Sequence, residues 1–232
     1  MTSEIVGLFS PTNIDDVILD EQNIIRLKQM ITDRSPMDMI FHGGIGTGKT
    51  SAAKLMMEAI SPETGHRLNG ASNADRKYIL EQLTDYASSR GFFYDGELTV
   101  IDQADLLPKQ AQNEVLWVLE RPTRLARLIL VVNDEKKILP AIRSRLLPIC
   151  FDVVPEKRDD AKARLGERYC SILSKVGITC PRSRIDEIVN TYFPDMWKIE
   201  SALEWEFPIS GSHYDKKAVE LHRNEQKEHQ PV

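Results

Sequence analysis

Residues 43–50 decide the fold, and they read Gly43-Gly44-Ile45-Gly46-Thr47-Gly48-Lys49-Thr50. This stretch fits the pattern G-x-x-x-x-G-K-[ST] of a phosphate-binding loop. Residues 37–42 (MDMIFH) before it predict a short buried strand, and residues 51–60 (SAAKLMMEAI) after it predict a helix. Glycines let consecutive backbone N–H groups turn toward one anion, and the start of the following helix adds partial positive charge. The strand–loop–helix context therefore indicates a phosphate site rather than a chance glycine-rich turn.

The motif assigns chemistry to the end of this loop. Lys49 is expected to reach the β- and γ-phosphates of a nucleotide, and the Thr50 hydroxyl is expected to ligate Mg²⁺. ATP and Mg²⁺ are therefore the predicted ligands. The residues of the loop and of the helix start that we expect to hold the phosphates are Gly43, Gly44, Ile45, Gly46, Thr47, Gly48, Lys49, Thr50 and Ser51.

The composition limits the class of protein. Of the 232 residues, 41% are hydrophobic and 28% are charged, as in ordinary soluble globular proteins. The net charge of −5 argues against a free-standing nucleic-acid binder, so any DNA contact is local or shared with partners. Three cysteines without a C-x-x-C pair argue against a disulfide framework or a zinc site. Without a secretory signal or an apolar run of membrane-spanning length, the sequence predicts a cytoplasmic protein with no membrane contact.

A second informative stretch is residues 97–102 (ELTVID), an apolar strand that ends in Asp102. A carboxylate at the carboxyl end of such a strand can hold Mg²⁺ beside a phosphate loop, which is the Walker B pattern. Gln103 follows, where hydrolytic ATPases of this type usually carry Glu. A Gln side chain can orient the attacking water but cannot accept its proton. Alternatively, Gln103 is a polar loop residue and the base is elsewhere.

Polar residues after the next apolar run suggest further site residues. Residues 128–132 (LILVV) predict a buried parallel strand, and Asn133 after it is expected to share a crevice with Asp102 and to sense the γ-phosphate. An Asn that caps a turn is the alternative. Arg143 and Arg145 are either solvated charges or complete the nucleotide site of a neighbouring subunit, where an arginine stabilises the transferring phosphoryl group.

The remaining pattern predicts an α/β fold with a parallel five-stranded sheet, followed by a small helical lid domain. We expect a nucleotide-binding domain over residues 1–153, the lid over 154–208 and a charged, flexible tail over 209–232. Further predicted strands cover residues 66–69 and 147–151, and the predicted helices cover 21–32, 76–90, 108–119, 156–176, 182–192 and 194–207. Asp20 is expected to cap the first of these helices, whose predicted buried side comprises Ile24, Ile25, Leu27, Met30 and Ile31.

Over residues 10–207 the chain resembles the sliding-clamp loader ATPases of the AAA+ superfamily. These include replication factor C small subunits, the bacterial γ and δ′ subunits and the phage clamp-loader ATPase subunit. The resemblance rests on the phosphate loop, residues 69–73 (NGASN), the strand ending in Asp102, Asn133 as sensor 1, and the Ser144-Arg145 pair. It implies adenine contacts by Pro11, Ile14 and Val17, and it implies that Arg145 acts on the ATP of a neighbouring subunit.

The sequence also departs from that family. Gln103 replaces the usual Walker B Glu, and Trp197 occupies the position of the sensor-2 arginine. Lys198 is next along the helix but would face elsewhere, because a helix turns about 100° per residue. Leu116 and Trp117 stand where replication factor C carries arginines that touch DNA. The sequence ends where the helical collar domain of the family would begin.

The resemblance implies an ATP-binding subunit that assembles with other clamp-loader subunits into a hetero- or homo-oligomer. The assembly would load a sliding clamp onto primer–template DNA during replication, in the cytoplasm of a cell or of a phage-infected bacterium. The departures predict weak hydrolysis at the chain's own site. A non-hydrolysing structural subunit that supplies an arginine finger is one alternative, and a helicase-loader or origin-recognition relative is another. The residues expected to act in catalysis are Lys49, Asp102, Gln103, Asn133 and Arg145, with Thr50 and Asp102 on the metal.

Overall fold

The computed structural model describes residues 6–72, 77, 98–120 and 127–207. The chain divides into two compact units. The sheet unit comprises residues 19–44 and 49–152, and the helical unit comprises residues 1–18, 45–48 and the chain from residue 153 onward. Apart from Lys77, the predicted helix over 76–90 lies outside the described residues, as do Asn73, Glu97 and the predicted tail.

The sheet unit contains a five-stranded sheet in which every neighbouring pair is parallel. Its order is β2-β3-β4-β1-β5. The α/β class and the parallel five-stranded sheet predicted from the sequence are therefore confirmed. The strands are β1 Met39–His42, β2 His66–Asn69, β3 Leu98–Asp102, β4 Arg127–Val132 and β5 Leu147–Cys150.

The helices of the described chain fall in both units. The helices in chain order are α1 Val6–Phe9, α2 Glu21–Thr32, α3 Lys49–Ile60, α4 Lys109–Leu119, α5 Pro140–Arg143, α6 Arg158–Lys175, α7 Arg182–Tyr192 and α8 Met196–Glu206. Helices α2 to α5 belong to the sheet unit, and α1 and α6 to α8 belong to the helical unit. The helical region that the sequence predicts after the sheet is thus present.

The strand register places the site-bearing strand ends together. In the sheet unit β4 lies between β1, which leads into the phosphate loop, and β3, which ends in Asp102. Ile101 on β3 pairs with Leu130 on β4, and Val132 on β4 pairs with His42 on β1. Because the strands are parallel, their carboxyl ends meet at one edge of the sheet. All five residues of β3 are buried, as expected for a central parallel strand.

Helix α2 shows where the apolar pattern is misleading. The Asp20 carboxylate accepts a hydrogen bond from the Gln22 N–H at 3.2 Å, so the predicted cap is confirmed. Ile24 and Leu27 are buried, but the prediction that Ile25 is buried is wrong, since 57% of it is exposed. Ile25 follows Ile24 directly, and one residue turns a helix by about 100°, which points the two side chains in different directions.

The helical unit has its own apolar core. Tyr169 on α6 is fully buried and its ring meets the ring of Phe9 edge-on, with centroids 5.4 Å apart. Helix α6 begins later than predicted because Pro155–Lys157 form a 3-10 turn before it. Helix α8 begins at Met196, where the Asp195 side chain caps it by accepting from the Lys198 N–H. Other buried members of this core are Leu165, Leu173, Ile185, Val189, Ile199 and Leu203.

Candidate nucleotide site

Lys49 is the first residue of α3 and is held at the entry of the phosphate loop. Its ammonium donates to the carbonyl oxygens of Gly43 and Gly44 at 2.9 and 2.5 Å, and the residue is only 5% exposed. Burial lowers the pKa of Lys49, and the negative charges of nearby carboxylates, with Asp152 the strongest, act in the opposite direction. The side chain is therefore fixed in place by its own loop.

Thr50 and Asp102 come together as the motifs predict. The Thr50 hydroxyl donates to the Asp102 Oδ1 atom at 3.1 Å, and Asp102 is 6% exposed. The backbone N–H of Gln103 donates to the same oxygen at 3.0 Å. A hydroxyl and a carboxylate are oxygen ligands of the kind Mg²⁺ takes while it keeps water and phosphate in its other positions. These two residues thus fit the predicted magnesium site.

Arg67 on β2 is a member of this cluster that the sequence did not reveal. Its Nη2 atom donates to the Asp102 Oδ2 atom at 2.8 Å, so a guanidinium engages the second oxygen of the carboxylate. The Arg67 side chain is 46% exposed, whereas that of Asp102 is 9% exposed. An incoming cation would therefore share Asp102 with an arginine.

Asp152 is the second unpredicted neighbour of the loop. Its Oδ1 atom accepts a hydrogen bond from the Gly44 N–H at 2.7 Å. A Cβ atom at Gly43 would lie 3.0 Å from that oxygen, and Gly43 has a φ of +138°. The close approach of the carboxylate and the positive φ together explain why glycine opens the loop.

The tip of the loop, residues 45–48, belongs to the helical unit. The Gly46 carbonyl accepts from the Met196 N–H at 2.8 Å, at the start of α8. A Cβ atom at Gly46, whose φ is +76°, would lie 2.2 Å from the Asp195 Oδ1 atom. Thr47 is buried, whereas Ile45 is 74% exposed.

The N-terminal segment meets the same tip. Ile14 and Val17 are 3% and 4% exposed, and Pro11 is half-buried. The Val17 Cγ1 atom lies 3.8 Å from the position that a Cβ atom of Gly48 would take. The structure therefore brings one of the three predicted adenine contacts beside the phosphate loop.

The two polar residues that follow strand ends are both exposed. Gln103 has a left-handed backbone with a φ of +52°, directly after β3. Asn133 follows β4, the strand between β1 and β3. Asp105 is instead buried, and its Oδ1 atom has no hydrogen-bond partner among the described residues. It is a carboxylate near the loop that the sequence did not single out.

The arginine expected to act on a neighbour is held by a surface contact. Arg145 donates to the Glu120 Oε1 atom at 2.7 Å and to the Ala141 carbonyl at 2.6 Å, and its side chain is 39% exposed. On α8, Trp197 is 65% exposed, and the Lys198 ammonium lies 3.4 Å from Asp195. Lys198 therefore pairs with the carboxylate that caps its own helix.

Comparison with known proteins identifies relatives of the chain. Residues 66–155 match the family described as DNA polymerase III, delta subunit. Replication factor C subunit 3 of Schizosaccharomyces pombe is 31% identical over 157 residues, which are 66% of this chain and 46% of that protein. The replication factor C small subunit of Methanococcus vannielii is 29% identical over 205 residues, which are 86% of this chain and 63% of that protein.

Solved structures show the same fold. The Thermotoga maritima RuvB Holliday junction branch migration motor aligns with a TM-score of 0.64 at 13% identity, covering 94% of this chain and 72% of that one. The Aeropyrum pernix ORC1 protein, solved in complex with DNA, aligns with a TM-score of 0.62 at 14% identity, covering 97% and 71%. The chain thus resembles replication factor C subunits in sequence and shares the fold of these solved structures.

The resemblance predicted from the motifs is therefore confirmed, and so is the AAA+ core. This replication factor C-like chain spans 46% and 63% of the length of the two relatives named above. Within the residues that the structure describes, no helix has the length and apolar character needed to cross a membrane.

Proposed function

We propose that the chain is an ATP-binding subunit of a clamp-loader-type assembly. The observation that carries the proposal is the cluster in which Lys49 is fixed at the loop carbonyls and Thr50 meets the Asp102 carboxylate at 3.1 Å. The assembly would contain other clamp-loader subunits, and it would open a sliding clamp and place it on primer–template DNA. The net charge of −5 agrees with DNA contact made through the assembly rather than by the isolated chain.

The residues of the chain would divide the work of holding the nucleotide. Lys49 and the loop N–H groups bind the phosphates, and Thr50 and Asp102 orient the metal. Pro11, Ile14 and Val17 cover the adenine. When bound, Mg²⁺ neutralises charge on the phosphate oxygens. Asn133, which directly follows the strand between the loop strand and the Asp102 strand, would sense the γ-phosphate.

Hydrolysis at this chain's own site would be weak. The Gln103 amide cannot take a proton from the attacking water, and loss of a general base costs about 10²–10⁴-fold in rate. Arg145 would instead serve a neighbouring subunit, because an arginine supplied in trans stabilises charge on the transferring phosphoryl group. To do so, Arg145 would break its ion pair with Glu120. Surface ion pairs of this kind contribute little stability.

A second candidate is a structural subunit that holds ATP without hydrolysing it and supplies only Arg145. Two observations favour this candidate: the glutamine at position 103 and the exposed Trp197 in the sensor-2 position. Both candidates share ATP binding and differ in turnover. The distinction therefore depends on rate measurements rather than on affinity.

The test measures ATP binding and phosphate release by the purified chain, alone and with the products of neighbouring genes. We expect Mg²⁺-dependent ATP binding, little turnover alone, and a stable complex whose mass reveals its stoichiometry. Lys49→Ala should abolish binding and serves as the control. Failure of the chain to bind ATP, or a chain that stays monomeric with every candidate partner, would refute the proposal. Full turnover by the isolated chain would refute both the weak-hydrolysis proposal and the structural-subunit candidate.

A further inference from the structure

Arg168 on α6 holds the N-terminal segment at both ends. Its Nη2 atom donates to the carbonyl oxygens of Phe9 and Ser10 at 2.7 and 3.0 Å. Its Nε atom lies 3.6 Å from the Asp16 Oδ1 atom. Only 17% of the Arg168 side chain is exposed. One guanidinium thus ties the end of α1 to a turn seven residues later, within the helical unit.

The turn that Arg168 reaches is itself ordered by Asp16. The Asp16 Oδ2 atom accepts from the backbone N–H groups of Thr12 and Asn13 at 3.0 and 3.1 Å, and from the Thr12 hydroxyl at 3.2 Å. The Asn13 side chain in turn accepts from the Asp15 N–H. The carboxylate therefore folds residues 12–16 around one of its oxygens, while the other faces Arg168.

This segment bears the three residues proposed to cover the adenine. Ile14 lies inside the turn ordered by Asp16, and Val17 follows it and reaches the phosphate loop beside Gly48. Pro11 lies between the Ser10 carbonyl that Arg168 binds and the turn. If the guanidinium were absent, the segment would have to be ordered by the ligand, and such ordering weakens binding.

We propose that Arg168 is a positioning residue for base recognition: by fixing residues 9–17 from α6, it gives the site its preference for adenine. The inference rests on the proposed ATP site. Because Arg168 is assigned no contact with the phosphates, its substitution should weaken the binding only of ligands that carry a base.

The test compares Mg-ATP, Mg-GTP and Mg-tripolyphosphate by calorimetry with the full chain. Tripolyphosphate offers the phosphates without a base. The variants are Arg168→Ala, Arg168→Lys and, as the control, Arg158→Ala, which removes the same charge from an exposed position on the same helix. Circular dichroism at the assay temperature establishes that each variant is folded.

We expect Arg168→Ala to weaken ATP binding about three- to tenfold, the range that corresponds to ordering about one further side chain on binding. Its preference for ATP over GTP should fall, and its affinity for tripolyphosphate should match the wild type. Arg168→Lys should be intermediate, because one ammonium lacks the forked donors that reach both carbonyls and Asp16. Arg158→Ala should bind all three ligands as the wild type does.

Equal losses of affinity for ATP and tripolyphosphate would overturn the proposal, because they would mean that the substitution damages the helical unit in general. Unchanged ATP affinity would overturn it as well. If Arg168→Ala does not fold, the affinities of Arg168→Lys for ATP and tripolyphosphate are compared instead, and the same criteria apply. A wild-type chain that binds tripolyphosphate and shows no preference for ATP would instead refute the proposed adenine contact, and that result is visible before any substitution is made.

Discussion

Glu200 on α8 should make the stability of the helical unit depend on pH. Burial raises the pKa of this carboxyl from its ordinary 4.5 to about 7, although the positive charge of Arg168 acts in the opposite direction. The Tyr169 hydroxyl donates to its Oε1 atom at 3.4 Å and also favours the charged form. The cost of removing the carboxylate from water therefore outweighs both favourable contacts.

The sign and size of the effect follow from the two pKa values. A carboxyl whose pKa is higher in the folded than in the unfolded chain stabilises the fold fully below about pH 4.5. That stability is lost as the pH rises to about 7, where the folded chain must also release the proton. At 1.36 kcal/mol per pH unit, the loss amounts to about 3 kcal/mol.

The assay is urea unfolding of the wild type and Glu200→Gln between pH 4.5 and pH 8, followed by tryptophan fluorescence. Trp197 and Trp205 lie on the same helix as Glu200 and report on this unit. The two proteins should be equally stable at the acid end. At pH 8 the amide variant should be more stable by about 3 kcal/mol, because it has no proton to lose.

The matched control is Glu204→Gln, the same chemical change one turn further along α8. It should follow the pH dependence of the wild type. If Glu200→Gln loses as much stability between pH 4.5 and pH 8 as the wild type does, the reasoning about this buried carboxyl is wrong.

Two further predictions concern the nucleotide site, and a third compares two glycines of the helical unit. Arg145→Ala should lower phosphate release by the assembled complex about 10³-fold or more while the isolated chain keeps its ATP affinity; unchanged release would exclude a role in trans. Gln103→Glu should raise turnover of the chain by about 10²–10⁴-fold in a phosphate-release assay, and no gain would mean that a missing base is not the limiting defect. Gly177→Ala should lower the free energy of unfolding in urea by about 1–2 kcal/mol. The cost comes from the positive φ alone, since the space around Gly177 is open. Gly46→Ala should cost more, since its new Cβ atom would meet Asp195 at 2.2 Å, and equal costs would contradict this steric argument.

The fold could be predicted from the sequence because most of its elements have local signals. The run LILVV in β4 is apolar throughout, and β3 is apolar except for Thr99 and the Asp102 that ends it, as is typical of parallel strands buried on both faces. Element ends were less predictable. The 3-10 turn Pro155–Lys157 delays the start of α6, and Ile25 is exposed although it directly follows the buried Ile24. Helix ends shift by one or two residues with local hydrogen bonding, and the turn of about 100° per residue, rather than hydrophobicity alone, decides which apolar side chains of a helix are buried.

The residues of the candidate site likewise divide into those that have a local sequence signal and those that have none. Lys49 and Thr50 are found by a motif that a single loop and helix build, and Asp102 by the strand it ends. Arg67 and Asp152 could not be found, because they reach Asp102 and Gly44 from 35 and 108 residues away in the chain. Which strand lies beside β3, and which carboxylate meets the first glycines, is decided by strand order rather than by any local pattern.

Burial of the Lys49 ammonium lowers folding stability, but the ordered side chain favours ligand binding. Before any phosphate arrives, the side chain is already ordered against the Gly43 and Gly44 carbonyls, so binding does not have to freeze its rotatable bonds. The same arrangement removes a cation from water, and burial is the main reason that its pKa is lowered. The effect of burial on the pKa thus outweighs the attraction of the nearby carboxylates in the free chain, and a bound anion would favour the charged form of Lys49. A nucleotide would add its negative charge to that of the carboxylates already near Lys49, and its binding would stabilise the fold as well as fill the site.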